Sequence, residues 1–250
     1  GALTVVTGVS GSGKTTMVLE CLVPALVSRS KGQRLPRQVE SLDADVIQRV
    51  HLIDSTPIGA NVRSTVATYS GVMDELRRAF AQSAGAKARG LRAGDFSYNT
   101  GSLRCPTCDG TGTISLDVQF LPDVEVTCPD CRGSRFSGAA WQVRRALARA
   151  RKDASAPREH SLPELMAMTV DEALGCVESL KKVRGKLGVL HDLGLGYLTL
   201  GEATPALSGG EAQRLKLAGE MGRDQTDALF VFDEPAIGLH PHDVEVLEGV

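Results

Sequence analysis

The sequence predicts an α/β nucleotide-binding head split by a long insert, and three observations carry that expectation. A glycine-rich stretch, Gly8-Val9-Ser10-Gly11-Ser12-Gly13-Lys14-Thr15, follows an apolar run near one end. A second apolar run, Ala228 to Phe232, leads into Asp233-Glu234 near the other. Between them stand two Cys-x-x-Cys pairs, Cys105/Cys108 and Cys128/Cys131.

The elements follow in order. Leu3 to Thr7 is apolar and short enough for a buried strand, and a helix is expected from Thr15 to about Ser28. The polar stretch Ser28 to Glu40 reads as a loop, and residues 45–53 fit a strand or a helix equally. Val72 to Gln82 carries apolar residues at helical spacing. Residues 85–104 are rich in Gly and Arg and read as irregular. Trp141 to Lys152 reads as a basic helix with five cations and no acid, and residues 153–163 as a linker. Thr169 with Glu172, and Ser208 with Glu211, have capping-box spacing. Helices are expected from them to about Lys182 and Met221. Ala228 to Phe232 reads as a second buried strand.

Bulk properties narrow the class. The chain has 250 residues, 42% of them hydrophobic, and a net charge of −2. That suits a globular protein of one large or two modest domains. No apolar run reaches membrane-spanning length and no signal peptide is present, so the expected compartment is the cytoplasm. The chain starts at Gly1 without Met and ends at Val250 within a helical pattern, which reads as part of a longer protein. Charge is unevenly spread. Arg77 to Lys186 holds 18 Lys and Arg against 12 Asp and Glu, a local balance of +6. A basic middle permits a polyanion-binding insert, and a solvated surface explains it equally well.

The glycine-rich stretch matches G-x-x-x-x-G-K-[ST]. Its glycines let backbone N–H groups turn inward around phosphate oxygens, and the following helix adds its positive end. Lys14 is expected at the terminal phosphates and the Thr15 hydroxyl on Mg²⁺. Gly8, Ser10, Gly11, Gly13 and Thr16 complete the nucleotide contacts. At the second strand, Asp233 is placed to hold Mg²⁺ and Glu234 to position or deprotonate the attacking water. Lys14, Asp233 and Glu234 are thus the candidate catalytic residues.

Leu207-Ser208-Gly209-Gly210-Glu211-Ala212-Gln213-Arg214 adds a third element. Ser208 and Glu211 alone would make an ordinary capped helix, but two glycines in its first turn weaken it. They make sense where a phosphate must approach the backbone. The stretch resembles the signature sequence of ABC ATPases. That resemblance implies that Ser208, Gly209 and Gly210 contact the γ-phosphate of an ATP held by another head, and so a homodimer or a second ATPase half.

Cys105-Pro-Thr-Cys108 and Cys128-Pro-Asp-Cys131 are separated by 19 residues. Paired knuckles at this spacing favour tetrahedral zinc, and four thiolates leave no open position for catalysis. Cys21 and Cys176 stand alone in helical patterns and read as core residues.

A zinc module inserted in an ABC ATPase resembles the UvrA family. The likeness runs through Gly8–Thr15, Pro57-Ile58-Gly59, Arg63-Ser64, Ala67-Thr68-Tyr69, Phe96-Ser97-Tyr98-Asn99 and Phe120–Val124. It continues in Gly194–Gly201, Leu207–Arg214, Leu217-Ala218 and Asp233–His240. It implies an ABC-type head with a lobe from 1–62 and 222–250. A mostly helical signature domain of 63–221 would carry the zinc module at about 95–140. It also implies ATP, Mg²⁺ and Zn²⁺ as cofactors, damaged or distorted duplex DNA as ligand, and a UvrB-like protein as a candidate partner. Recognition would rest on backbone contacts and deformability, since aromatic content is only 4%. Arg89, Arg104, Arg132 and Arg135 are the candidate phosphate contacts, with solvated surface charge as the alternative for each.

The chain departs from the family pattern in places. Ser55 stands where the family has a Gln that senses metal and γ-phosphate. Asp95, Gly101 and Ser134 stand where basic residues are usual, and Ala236 follows Glu234-Pro235 where Thr is usual. His240 and His242 belong to the loop after the acidic pair, and the family's switch histidine would fall beyond Val250. These changes also fit a DrrC-like paralogue tied to resistance against DNA-binding antibiotics, or a module with vestigial turnover. A transporter ATPase subunit is disfavoured by the zinc insert.

Overall fold

The computed structural model describes residues 3–116, 124–147, 158–221 and 227–233, and the fold is mixed α/β. Among these residues the chain forms two compact units, one from the described parts of 3–55 and 220–233, the other from 56–219.

The first unit is built on two parallel strands. Beyond the glycine-rich turn the backbone is π-helical over Thr16–Leu22 and continues as α1, Val23–Ser30. Pro24 sits in the first turn of α1, where its missing N–H is no loss. The stretch that fits strand or helix resolves to strand β1, Arg49–Ile53. It pairs in parallel with Ala228–Phe232, labelled β6 in chain order, with Ile53 opposite Phe232. His51 stacks on Phe230 with ring centroids 5.1 Å apart, and its Nδ1 lies 3.2 Å from Glu220 Oε2. Two expectations are corrected here. Leu3 to Thr7 forms no strand, and Leu3 is 90% exposed. A strand needs a backbone partner, and among the described residues of this unit β1 and β6 pair only with each other. Strand β6 is also less buried than expected, with Val231 alone inside.

The second unit is mainly helical. Its helices are α2 (Val66–Tyr69), α3 (Val72–Ala81), α4 (Ala84–Ala88), α5 (Gly138–Trp141), α6 (Leu162–Met166), α7 (Val170–Leu174), α8 (Lys181–Asp192) and α9 (Gly209–Glu220), the last reaching one residue into the first unit. Helix α3 shows why: Val72, Met73, Leu76, Ala79 and Phe80 share one buried face. Phe80 meets Phe96 at 6.1 Å, and Tyr98 meets Phe136 edge-on at 5.8 Å. Side-chain caps start the short helices. Thr65, Ser161 and Thr169 each accept from the N–H three residues on, and the capping box at Thr169 is present as read.

Three readings change in this unit. Residues 85–104 are not wholly irregular: most of α4 lies here, with a 3₁₀ turn at Ala93–Phe96. The helix from Thr169 stops at Leu174, and Gly175 and a turn intervene before α8. The basic helix over 141–152 is replaced. Helix α5 ends at Trp141, and Arg144–Leu147 is strand β4, antiparallel to β5, Arg158–Ser161. The cause is period-two burial: Val143 and Leu147 are fully inside while Arg144 and Ala146 face out. Residues 148–152, and 153–157 of the expected linker, lie outside the described residues. The two cysteine knuckles are joined through an antiparallel pair, β2 (Thr113–Leu116) and β3 (Val124–Thr127).

Candidate functional site

The phosphate loop has the backbone that its glycines make available. Gly11 and Gly13 adopt left-handed φ values of 80° and 86°, conformations that cost most residues 1–2 kcal/mol, as a rough figure. Gly8 is hemmed in: a Cβ there would sit 2.9 Å from Ser12 Oγ. Lys14 Nζ donates to the carbonyls of Gly8 at 2.7 Å and Val9 at 2.9 Å, closing the loop on itself. Thr15 precedes the π-helical turn with helical dihedrals and no side-chain cap bond, and Ser10, Thr15 and Thr16 are all exposed. The loop therefore presents N–H groups, a cation and hydroxyls to solvent at a helix start.

At the second strand, Asp233 N donates to Ile53 O at 3.3 Å, so Asp54 and Asp233 leave the carboxyl ends of neighbouring parallel strands. That edge is where open α/β sheets carry their ligands. Ser55 follows directly. Glu234 lies outside the described residues, as do Ala236, His240 and His242.

The signature stretch opens α9. Glu211 N donates to Ser208 Oγ at 3.4 Å, and Ser208 N donates to Glu211 Oε2 at 2.7 Å, the reciprocal box expected from their spacing. Burial pushes the Glu211 carboxyl up, but hydrogen bonds from Tyr197 and Ser208 outweigh it, and the group sits below its ordinary value. Gln213 and Arg214 are buried, and Arg214 Nη1 donates to Leu193 O at 3.4 Å. Lys216, two positions on, donates to both the carbonyl and the hydroxyl of Thr56 at 2.9 Å. Signature helix and the residue after Ser55 are thereby joined.

Cys105, Cys108, Cys128 and Cys131 are all buried, and their four sulfurs lie within 4.8 Å of one another. The Cys105–Cys128 and Cys108–Cys131 separations are 3.9 and 3.6 Å. A tetrahedron with Zn–S bonds of about 2.3 Å has edges of about 3.8 Å. The donor set and its spacing therefore fit zinc. Gly112 N donates to Cys108 Sγ at 3.3 Å, the kind of bond that favours a thiolate. Burial raises the Cys108 thiol, yet the Gly112 and Gly110 N–H groups and neighbouring thiols bring it down to about 7. Burial dominates at Cys131, pushed up to about 12, and also raises Cys105. The left-handed positions Asp109, Gly110, Gly112, Arg132 and Gly133 fold the two knuckles back on themselves.

The module is bolted to the segment that follows Ser55. Arg63 donates to Asp109 O at 2.6 Å and to Asp109 Oδ2 at 3.1 Å. Arg135, 8% exposed, donates to Val62 O at 2.9 Å and lies 5.4 Å above the Tyr98 ring. Tyr98 in turn donates to Arg63 O at 3.0 Å.

Known proteins match nearly the full length of this chain. No family model matches the chain. UvrABC system protein A of Bacillus subtilis is 42% identical over 249 residues, which is 98% of this chain and 25% of that protein. The same protein of Thermus thermophilus is 40% identical across 100% of this chain and 25% of its own length. The crystal structure of UvrA2 from Deinococcus radiodurans superposes with a TM-score of 0.78 at 39% identity, covering 96% of this chain and 28% of that one. The chain is a partial-length member of the UvrA family. It spans about a quarter of the length of the curated relatives it matches.

The UvrA assignment gives the departures a structural setting. Asp95 accepts from Arg92 N at 2.8 Å and Ser102 Oγ at 2.7 Å, and these bonds hold its carboxyl below the ordinary value. Gly101 is pressed against the Asp95 and Gly94 carbonyls so closely that no Cβ fits. A basic side chain at 101 therefore has no room on this backbone. Ser134 Oγ accepts from Phe136 N at 3.4 Å, a turn contact within the second knuckle. Of the four arginines read as DNA contacts, Arg89 and Arg132 are exposed. Arg104 is half-buried and paired with Asp109 at 2.8 Å. Arg135 is turned inward, and burial lowers its pKa while Tyr98 and the Cys108 and Cys131 thiols favour its charged form. Sequence reasoning assigned no role to Tyr197, Lys216, Arg63 or Asp109. Two signals were available: Arg63 and Tyr197 both lie in stretches that carry the family resemblance.

Proposed function

We propose that this region is an ATP-hydrolysing half of a UvrA-type protein of nucleotide excision repair, in which ATP binding and turnover govern head association and loading onto distorted duplex DNA. The observation that carries the reading is the combination of phosphate loop, signature turn and buried four-cysteine cluster in one chain that UvrA proteins match end to end. No helix among the described residues is long and apolar enough to cross a membrane.

In this reading the head is assembled from the two ends of the chain, and the signature domain lies between them. Lys14 and the loop N–H groups of Gly8 to Thr16 hold the ATP phosphates. Thr15 and Asp233 hold Mg²⁺, which when bound offsets charge on the transferring phosphoryl group. Glu234 orients the attacking water and takes its proton. Ser208, Gly209 and Gly210 close on the γ-phosphate of an ATP bound to another head, so turnover reports head association. Cys105, Cys108, Cys128 and Cys131 hold structural zinc, and the exposed Arg89 and Arg132 meet DNA phosphates, with charge dominating affinity. A UvrB-type protein is the candidate partner.

A second reading is a divergent paralogue directed at DNA-bound small molecules. Asp95 with its glycine-locked neighbour favours it, because it sets an acid beside the zinc module where the family carries a base. The deciding test measures ATP hydrolysis by the full-length protein alone, with intact duplex, and with the same duplex bearing one bulky adduct. An adduct-dependent change that Glu234→Gln abolishes is expected. Turnover indifferent to both duplexes would overturn the repair reading, and a response only to duplex carrying an intercalating antibiotic would select the paralogue.

A further inference from the structure

We propose that Tyr197 is a positioning residue for the signature turn, holding Glu211 so that the backbone around Ser208, Gly209 and Gly210 keeps one geometry. This rests on the reading above that those three residues contact ATP on another head.

The argument starts from a weakness in the sequence. Helix α9 begins with Gly209 and Gly210, and two glycines give its first turn the least intrinsic order of any residue pair. Ser208 and Glu211 supply the side-chain box that closes over it. Their box uses one carboxylate oxygen, Oε2, on the Ser208 N–H. A carboxylate held by one oxygen can still pivot about its Cγ–Cδ axis. Its other oxygen, Oε1, is taken by the Tyr197 hydroxyl at 2.6 Å. With both oxygens engaged the carboxylate plane is set, and with it the direction of the Ser208 amide and the entry of the chain into the glycines. Hydrogen bonds to an ionised acceptor are the strong ones.

Tyr197 is 58% exposed, so burial does not account for its place. The loop beneath it is firmly set. Leu195 and Leu198 on either side are buried. Asp171 N donates to Gly196 O at 3.0 Å and Val170 N to Leu198 O at 2.9 Å, tying the loop to α7. Leu195 N donates to Leu190 O at 2.9 Å, tying it to α8. The Asp171 carboxylate lies so close to Gly196 that a side chain there would collide with it, and His191 Nδ1 sits 2.7 Å from that same carboxylate. Tyr197 is therefore an exposed arm on a hydrogen-bonded loop, reaching the carboxylate that caps the glycine turn.

The test is Tyr197→Phe in the full-length protein, which keeps the ring and drops the hydroxyl. Because the ring is exposed, the melting temperature and zinc content are expected to match the parent. Hydrogen exchange of the peptide spanning 207–213 is expected to rise by about threefold or more. The kcat for ATP is expected to fall by about threefold to tenfold, with KM and the affinity for a non-hydrolysable analogue within about twofold. Glu211→Gln should act on the same step, so the double variant should be no worse than the poorer single one. Unchanged exchange at 207–213 overturns the brace, and faster exchange with unchanged kcat overturns its functional role. A parent protein that binds ATP nowhere would sink the proposed function instead, while the exchange measurement would still decide whether Tyr197 restrains the turn.

Discussion

Replacing Arg135 by Met separates two roles that an arginine beside a zinc knuckle can have. The side chain keeps much of its length and apolar stem but loses the guanidinium. Val62 O, on a residue 37% exposed, then loses a charged donor at 2.9 Å, a bond that contributes about 1.5–3 kcal/mol. The contact over the Tyr98 ring at 5.4 Å contributes about 0.5–2 kcal/mol more. Were zinc bound, four thiolates around one dication would carry net negative charge, which this buried cation would partly offset. The expected loss is about 2–5 kcal/mol, or a fall in melting temperature of roughly 5–15 °C for a unit of this size. Scanning calorimetry and the rate of zinc transfer to a colorimetric chelator measure it. Arg132→Ala is the counterpart. Its side chain is exposed, so stability should change by no more than about 0.5 kcal/mol. DNA affinity should fall, and the salt dependence should flatten by about one counterion. If Arg135→Met leaves melting and zinc retention intact and weakens DNA binding with a reduced salt slope, Arg135 is a phosphate contact and the strut assignment is wrong.

Two further outcomes follow from the same geometry. Gly110→Ala should unfold the zinc module, because Gly110 has φ 80° and its Cβ would overlap the Tyr98 carbonyl. The expected cost is above about 4 kcal/mol, against about 1–2 kcal/mol for Gly133→Ala, whose nearest neighbour is 3.8 Å away. Zinc content after gel filtration distinguishes them. Glu164 is one acid-sensitive group: burial raises its pKa, but Ser161 N at 2.7 Å and Arg144 Nη2 at 3.0 Å outweigh that and set it below 4.5. A depressed folded pKa means fewer protons bound in the folded state. Its contribution is therefore present above about pH 4.5 and lost as pH falls through the folded value. Glu164→Gln should lower stability at neutral pH and flatten the acid limb of a melting profile, and an unaltered limb would reject the assignment.

Much of the candidate site was legible because its chemistry is local. Gly11, Gly13 and Lys14 act through backbone freedom and one charge within a few residues, so their spacing carries the reading. The same holds for Ser208 with Glu211 and Thr169 with Glu172, whose boxes close over three residues. The cysteines are distant in pairs, but each knuckle is local, and four sulfurs need only meet. Leu3 to Thr7 failed for the opposite reason: a strand is defined by its partners, and apolar composition alone does not supply them. At Arg144–Leu147 the arginines hid a period of two under a high count of helix-forming residues. Tertiary pairing with Arg158–Ser161 then overrode propensity.

What the sequence could not reveal is the strap that follows Ser55. Thr56 is held by Lys216 of the signature helix, and Ile58 O accepts from Thr204 Oγ1 at 3.3 Å, just before that helix. Val62 O is held by Arg135, and Arg63 grips Asp109 while its own carbonyl accepts from Tyr98. Over eight residues the strap is clamped to the signature at one end and to the zinc module at the other. Each clamp spans from 35 to 160 positions in sequence, so no periodicity or spacing marks it. Ser55 is too short to reach what a glutamine would, yet the residue beside it is fixed to the signature helix by two bonds to one ammonium.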